Sequence, residues 1–307
     1  MNTKHSFWNR LFAALLLAVM LVTQTTTAFA VEDSPEPTEP SMVQAQDSDT
    51  GTEEAGEGTD TPEGGSLSEG PETALQTVSS LEELLQAIEQ AEAGATIGIG
   101  CEIVCPDGTV LGDTYKRVTL QRTAPEGHIS TYSPDGTGNV IIQAIDFDGG
   151  NVEATTPFVQ ASISTAYSEC RFSDCTAGAI EANNGDQNFG YCVFERNTAQ
   201  YGAHIRMNGG SANLFNCVLG RGTATIRGGA IACYTDQEVT LEKCSIWENT
   251  AAQHGGAIWN RGKLTITQST IHNNTANDAS AADEVAYMRR NDSEVGFHYA
   301  VDDKEIV

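Results

Sequence analysis

Apolar and polar positions follow two different periods along this chain. From Ser80 to Gly94, Leu81, Leu84, Leu85 and Ile88 fall at i, i+3, i+4 and i+7, which predicts one short amphipathic helix. Ser80 with Glu83 reads as a capping box, and Gly94 as the C-terminal stop. After that the helical period is lost. Short apolar runs at 96–104, 117–122, 139–147 and 157–165 predict strands. Turn signals separate them at Pro106-Asp107-Gly108, Pro134-Asp135-Gly136 and Asp148-Gly149-Gly150.

The second half carries an internal repeat. CRFSDCTA (170–177), CVFERNTA (192–199), CVLGRGTA (217–224), CSIWENTA (244–251) and STIHNNTA (269–276) align without gaps, with starts 22, 25, 27 and 25 residues apart. The template is C-x-Φ-x-x-N-T-A, where Φ is Phe172, Phe194, Leu219, Ile246 or Ile271. A second element lies between the copies, ending in Ala179-Ile180, Ala203-His204-Ile205, Ala230-Ile231 and Ala257-Ile258, each preceded by Gly. A unit of this length with several short strands is one turn of a solenoid, which buries its apolar face only against its neighbours. Cys and Φ, two residues apart, then point to one side of a strand, inward. The recurring Asn197, Asn249 and Asn274 suit a left-handed bend, with Gly222 at the same position and Cys175 as the exception. Stacked Asn side chains could also bond along the axis.

The GGAI elements together with Phe194-Glu195-Arg196-Asn197 resemble the repeats of chlamydial polymorphic membrane proteins. They also look like those of bacterial surface proteins with a pectin-lyase-like fold. The motif-level resemblance covers about 170–278 and implies an all-β fold: a right-handed, single-stranded parallel β-helix, with 95–169 as earlier, degenerate coils. At about 4.8 Å per rung, roughly seven coils would measure about 35 Å. The helix is expected to cap the first open edge. The segment 279–307 is expected to cover the last, unless the chain continues. The pattern departs from the chlamydial family in that residues 279–307 are not expected to form a membrane barrel.

Composition adds an address. Lys4 and Arg10 precede the apolar run 11–22, and Ala28-Phe29-Ala30 ends a cleavable pattern, so residues 1–30 read as a secretory signal peptide. Residues 31–73 hold 13 acidic and no basic residues, half of the net charge of -26, and read as an acidic disordered linker. The parallel β-helix is placed at 74–278, and no membrane insertion is expected after signal cleavage. With 42 Asp+Glu against 16 Lys+Arg, nucleic acid is excluded as a partner on charge. The expected location is secreted or at the cell surface.

Candidate chemistry is sparse. Cys170, Cys192, Cys217 and Cys244 should stack in an interior column with parallel Cβ vectors, a geometry poor for disulfides. They read as buried thiols. His128, His204, His254, His272 and His298 show no metal-ligand spacing, and Asp146-Phe147-Asp148-Gly149 reads as a turn, so no metal and no cofactor is expected. Glycoside hydrolysis needs two facing carboxyl groups. The signatures of polygalacturonases and pectate lyases are missing, and the adjacent Asp302-Asp303 pair lies in the tail. With Ile180, Ile205, Ile231 and Ile258 inward, an outward stripe of Glu181, Arg206, Ala232 and Trp259 follows, flanked by Asn183, Asn208, Tyr234 and Arg261. Glu181, Arg206, Tyr234, Trp259 and Arg261 mix aromatic, carboxylate and guanidinium groups that stack on and hydrogen-bond sugars. Trp247 and His272 share another outward column. The expectation is a binding or adhesion module for a polysaccharide or other cell-surface ligand, against the alternative of a polysaccharide lyase or glycoside hydrolase.

Overall fold

A computed structural model describes residues 75–234 and 237–277, and the backbone of the antiparallel strand pair Tyr299–Val301 and Lys304–Ile306. The signal peptide, the acidic linker and most of the tail, with His298, Asp302 and Asp303, lie outside the described residues. Residues 75–277 form a solenoid of parallel sheets, each strand pairing with its equivalent one rung on. Sheet I has nine strands, from Thr77–Val78 through Arg171–Ser173 and Val193–Glu195 to Thr270–His272. Sheet II has four: Thr198–Tyr201, Thr223–Arg227, Thr250–Ala251 and Thr275–Ala276. Sheet III has seven, ending in Ile180–Ala182, Ile205–Met207, Ile231–Cys233 and Ile258–Asn260. Sheet IV also has seven, ending in Asp186–Gly190, Ser211–Phe215, Glu238–Glu242 and Lys263–Thr267. Nine strands give eight steps, or about 38 Å along the axis.

The helix spans Leu81–Gln90, shorter than the pattern to Gly94 suggested. Ser80 Oγ accepts the Glu83 N–H, while the Glu83 carboxylate reaches back to the Ser79 N–H and Oγ, which hold its pKa below the usual carboxylate range. Lys116 Nζ donates to the carbonyls of Ile88 and Glu89, placing a cation at the negative end of the helix. Leu84, Ala87 and Ile88 join the core beside Ile97 and Ile99. The strand Thr77–Val78 extends sheet I past Thr96–Ile99, an addition the sequence pattern did not reveal.

Side chains at one register position stack from rung to rung. The rings of Phe147, Phe172 and Phe194 lie 4.6 and 4.9 Å apart at 0° and 7°. The column continues as Leu219, Ile246 and Ile271. Aromatic rings ordinarily prefer offset or edge-on pairs; here the sheet spacing imposes stacking.

Several expected strands are two strands broken at a corner. The run 139–147 is Asn139–Gln143 and Ile145–Asp148, and between them Ala144 has φ 51°. The same left-handed corner recurs at Glu169, Tyr191, Asn216, Lys243 and Gln268, each just before the first position of the repeat template. A second recurs at Asp174, Arg196, Arg221, Glu248 and Asn273. The left-handed residue is thus the one before Asn197, Asn249 and Asn274, which corrects the expectation that these Asn take the bend themselves. The Asn side chains turn inward and are buried.

One bond recurs at most of these corners; Asn197 instead donates to the Phe172 carbonyl one rung back, and Gly222 has no side chain to donate. The residue after the bend donates its side chain to the carbonyl two positions back, which also accepts a backbone N–H from the preceding rung, as Ser168 does from Ala144 and Trp247 from Arg221. Cys170, Cys192, Cys217 and Cys244 do this to Ser168, Gly190, Phe215 and Glu242 at 3.4 Å. Ser269 Oγ does it to Thr267 at 2.9 Å, and Asn249 and Asn274 Nδ2 do it to Trp247 and His272. Cys175, the exception in the template, does it to Ser173 at 3.4 Å. Short donors that tolerate burial thereby find an acceptor inside the solenoid, on carbonyls that keep their ladder bond.

All eight cysteines are free thiols. Burial pushes Cys105 and Cys175 up to about 12 and Cys233 up to about 11, so these groups are poor nucleophiles at neutral pH. Denatured protein is therefore expected to react with eight equivalents of a thiol reagent without prior reduction. Native protein is expected to react at most at Cys101, the one thiol not fully buried. A count of two or fewer after denaturation would contradict the thiol column.

Candidate functional site

Pairing in sheet III sets Gln160, Glu181, Arg206, Ala232 and Trp259 side by side in one file. The flanking inward residues Ile180, Ile205 and Ile231 are buried. Arg206 Nη1 lies 3.8 Å from Glu181 Oε2, and its Nε donates to Asn208 Oδ1 at 3.1 Å. Asn208 Nδ2 donates to Glu181 Oε1 at 2.8 Å and to Asn183 Oδ1 at 3.0 Å. Four residues on two rungs thereby hold one another in a polar knot.

Next to the knot lies an aromatic cluster. Pairing between Thr198–Tyr201 and Thr223–Arg227 shifts register between Ala199 and Tyr201, which re-aims Tyr201. Its ring centroid is 6.1 Å from Tyr234 and 6.4 Å from Trp259, and Tyr234 meets Trp259 edge-on at 5.1 Å. The Arg206 guanidinium sits 5.6 and 5.5 Å from the Tyr201 and Tyr234 rings, and Arg227 sits 5.2 Å from Trp259. Trp259 is only 6% exposed, so it braces the cluster, while Tyr201 and Tyr234 remain half-buried and offer edges to solvent.

A groove of about 530 Å³ opens beside Glu181, Arg206 and Tyr201. Its walls come from four successive rungs: Thr155, then Thr176 and Glu181, then Thr198, Gln200, Tyr201 and Arg206, then Thr225. The groove therefore runs along the solenoid axis. It forms where sheet II has no strand yet: Ala154 and Thr176 are held outside any strand by Thr176 Oγ1, which accepts the Ala154 N–H and donates to the Val152 carbonyl. Hydroxyl, amide, carboxylate and guanidinium groups share the trough with Ala154, Pro157, Ala177, Ile180, Ala199 and the Tyr201 ring, a mix that can both hydrogen-bond and pack against a linear ligand.

Four of the five residues singled out from sequence, Glu181, Arg206, Tyr234 and Trp259, are one contiguous group. Arg261 is exposed and is not among the side chains in these contacts; its backbone N–H donates to the Cys233 carbonyl. Trp247 lies across the Gly220 position beneath the Arg221 guanidinium, 4.7 Å away, in a ladder in which Arg221 also pairs with Glu195 and Glu248. Tyr201, Arg227 and the groove threonines escaped the sequence reading. The signal for Thr176 and Thr198 was the Thr-Ala that closes every repeat copy; Tyr201 had none, because a register shift places it. Among the described residues no three His, Cys, Asp or Glu side chains gather as metal ligands, and no helix is long and apolar enough to cross a membrane.

Fold and groove together define the class: a parallel β-solenoid with an axial trough of mixed polar and apolar lining. No family model matches the chain, and no solved structure matches it. Over 38 residues, 12% of the chain, it is 63% identical to the N-acetylmuramoyl-L-alanine amidases CwlA and XlyB of Bacillus subtilis (strain 168). That stretch spans 14% of the first and 12% of the second, so the chain covers only a small part of these relatives.

Proposed function

We propose that this protein is a secreted or cell-surface β-helix module, of the right-handed pectin-lyase-like kind, that binds a linear glycan of the cell envelope in the axial groove. The observation that carries the reading is the groove's composition and direction: hydroxyl, amide and charged groups interleaved with Ala154, Pro157, Ala177, Ile180 and Ala199 along four stacked rungs, with Tyr201 and Arg206 in its wall. A rung repeats about every 4.8 Å, which is comparable with the rise of one sugar along a β-linked chain. The shared segment with two enzymes named for cleaving N-acetylmuramoyl-L-alanine favours peptidoglycan as the glycan. Binding is favoured over cleavage because Glu181 is the only carboxylate among the described residues lining the groove, and both its oxygens are engaged by Asn208 and Arg206. Hydrolysis across a glycosidic bond asks for two.

Purified sacculi and soluble acidic and neutral polysaccharides are the test ligands. Wild-type protein is expected to sediment with sacculi without releasing reducing ends or unsaturated uronate. Arg206→Ala and Tyr201→Ala are each expected to weaken binding about tenfold, the loss of roughly 1.4 kcal/mol. Failure to bind any glycan, or binding indifferent to both variants, would overturn the groove as the ligand site. New reducing ends would favour the lyase or hydrolase reading instead.

A further inference from the structure

Arg122 closes the strand Val118–Arg122 and points into the solenoid, where it is 2% exposed. Its Nη1 donates to the Thr156 carbonyl at 2.9 Å, and the Phe158 ring lies 4.9 Å from Cζ. Its Nε and Nη2 are buried with no hydrogen-bond partner, and so is Thr156 Oγ1. An arginine stays charged in a protein interior, and a buried charge normally carries a counter-charge with its donors satisfied. No carboxylate among the described residues forms an ion pair with this guanidinium; the acids on the next two rungs turn elsewhere, Asp148 to Gln121 and Asp174 to Arg196. The ionisable neighbour is Cys175, two rungs on, whose thiol donates to the Ser173 carbonyl.

The chain around this point brings the interior close to solvent. Thr155 and Pro157 line the groove, and Thr156 between them turns its carbonyl inward to Arg122. One residue of backbone therefore separates the groove from the unpartnered guanidinium edge. Gly149 and Gly150, the latter at φ 61°, begin the segment that carries this partition.

We propose that Arg122 Nε and Nη2, with Thr156 Oγ1, form an interior site for a small monovalent inorganic anion of the chloride class, reached through the 154–157 wall of the groove. The two guanidinium donors lie on one edge of the group, and the unpartnered Thr156 hydroxyl, on the residue whose carbonyl holds Nη1, is the third donor. The site is independent of glycan binding.

Thermal unfolding of the full chain in sodium chloride against sodium gluconate at equal ionic strength tests it. An anion bound only by the folded state raises stability with its concentration. A saturable rise of several degrees in Tm with chloride is expected, and also with bromide. Arg122→Met is expected to lose that response. Identical wild-type melting in the two salts overturns the proposal, as does an undiminished chloride response in Arg122→Met. Should that variant fail to fold, bromide-soaked crystals of the wild type decide: an anomalous peak within hydrogen-bond distance of Nε and Nη2 supports the site, and none there refutes it.

Discussion

Asn249→Ala is expected to destabilise the solenoid by about 4 kcal/mol, among the largest single-residue effects available on its polar side chains. Asn249 Nδ2 donates to the carbonyls of Leu219 and Trp247 and to Asn274 Oδ1, at 2.9–3.1 Å. Its Oδ1 accepts the Gly222 N–H at 2.7 Å and faces His204 Nε2 at 3.1 Å. Truncation leaves the Gly222 N–H and His204 Nε2 buried without this partner, while the Trp247 carbonyl keeps the Arg221 N–H and Asn274 Oδ1 keeps the backbone N–H of residue 249. Asn213 is the control. It also bonds an Asn one rung away, Asn188 Oδ1 at 3.1 Å, but on the exposed face. Asn213→Ala is expected to cost no more than about 0.5 kcal/mol. Urea melts of both variants at neutral pH make the comparison; equal effects would mean the interior ladder contributes nothing special.

Acid is expected to weaken the fold through His204 before it protonates most carboxylates. His204 is fully buried between rungs, and burial pushes its pKa down to about 4. The hydrogen-bond network assigns the neutral Nε2–H tautomer: Nε2–H donates to Asn249 Oδ1, and Nδ1 accepts from Asn197 Nδ2 at 3.0 Å. A second ring proton would confront the Asn197 amide hydrogens. In the unfolded chain His titrates near 6.5. The unfolded state thus gains a proton that the folded state refuses as pH falls below about 6.5. Stability is full above that value, declines through the window down to about 4, and is about 2 kcal/mol lower at pH 5 than at pH 7. His204→Gln is expected to be less stable at pH 7 but to lose this pH dependence. Urea melts at pH 7 and pH 5 check it, and a wild-type slope no steeper than the variant's would refute the assignment.

The same histidine shows how far sequence reasoning reaches. His204 occupied a position in the Ala-x-Ile element where a lone histidine carries no signal. Gly222 read only as a residue able to bend. In the structure the two explain each other. A Cβ on Gly222 would stand 2.7 Å from His204 Nε2, 2.8 Å from Asn249 Oδ1 and 2.3 Å from the Gly229 carbonyl. Glycine is present because the imidazole of the previous rung fills the space of the missing Asn side chain, bridging Asn197 to Asn249. That exchange is between residues 18 positions apart in the chain and adjacent only after stacking.

The repeat itself determined a great deal. A template recurring every 22–27 residues dictates that equivalent strands pair in parallel, that Φ residues stack, and that four Cys fall in one file, because each rung can bury its apolar side only against another like it. The period also places Glu181, Arg206 and Trp259 in one column, since pairing in register leaves no freedom there. What tertiary structure alone decided depends on where rungs depart from the template. The register shift that aims Tyr201 at Tyr234, the rungs lacking a sheet II strand that open the groove, and the inward Arg122 are such departures. A periodic sequence encodes the average rung, whereas a site is made where one rung differs from those it touches, and that difference acquires meaning only once the neighbours are in place.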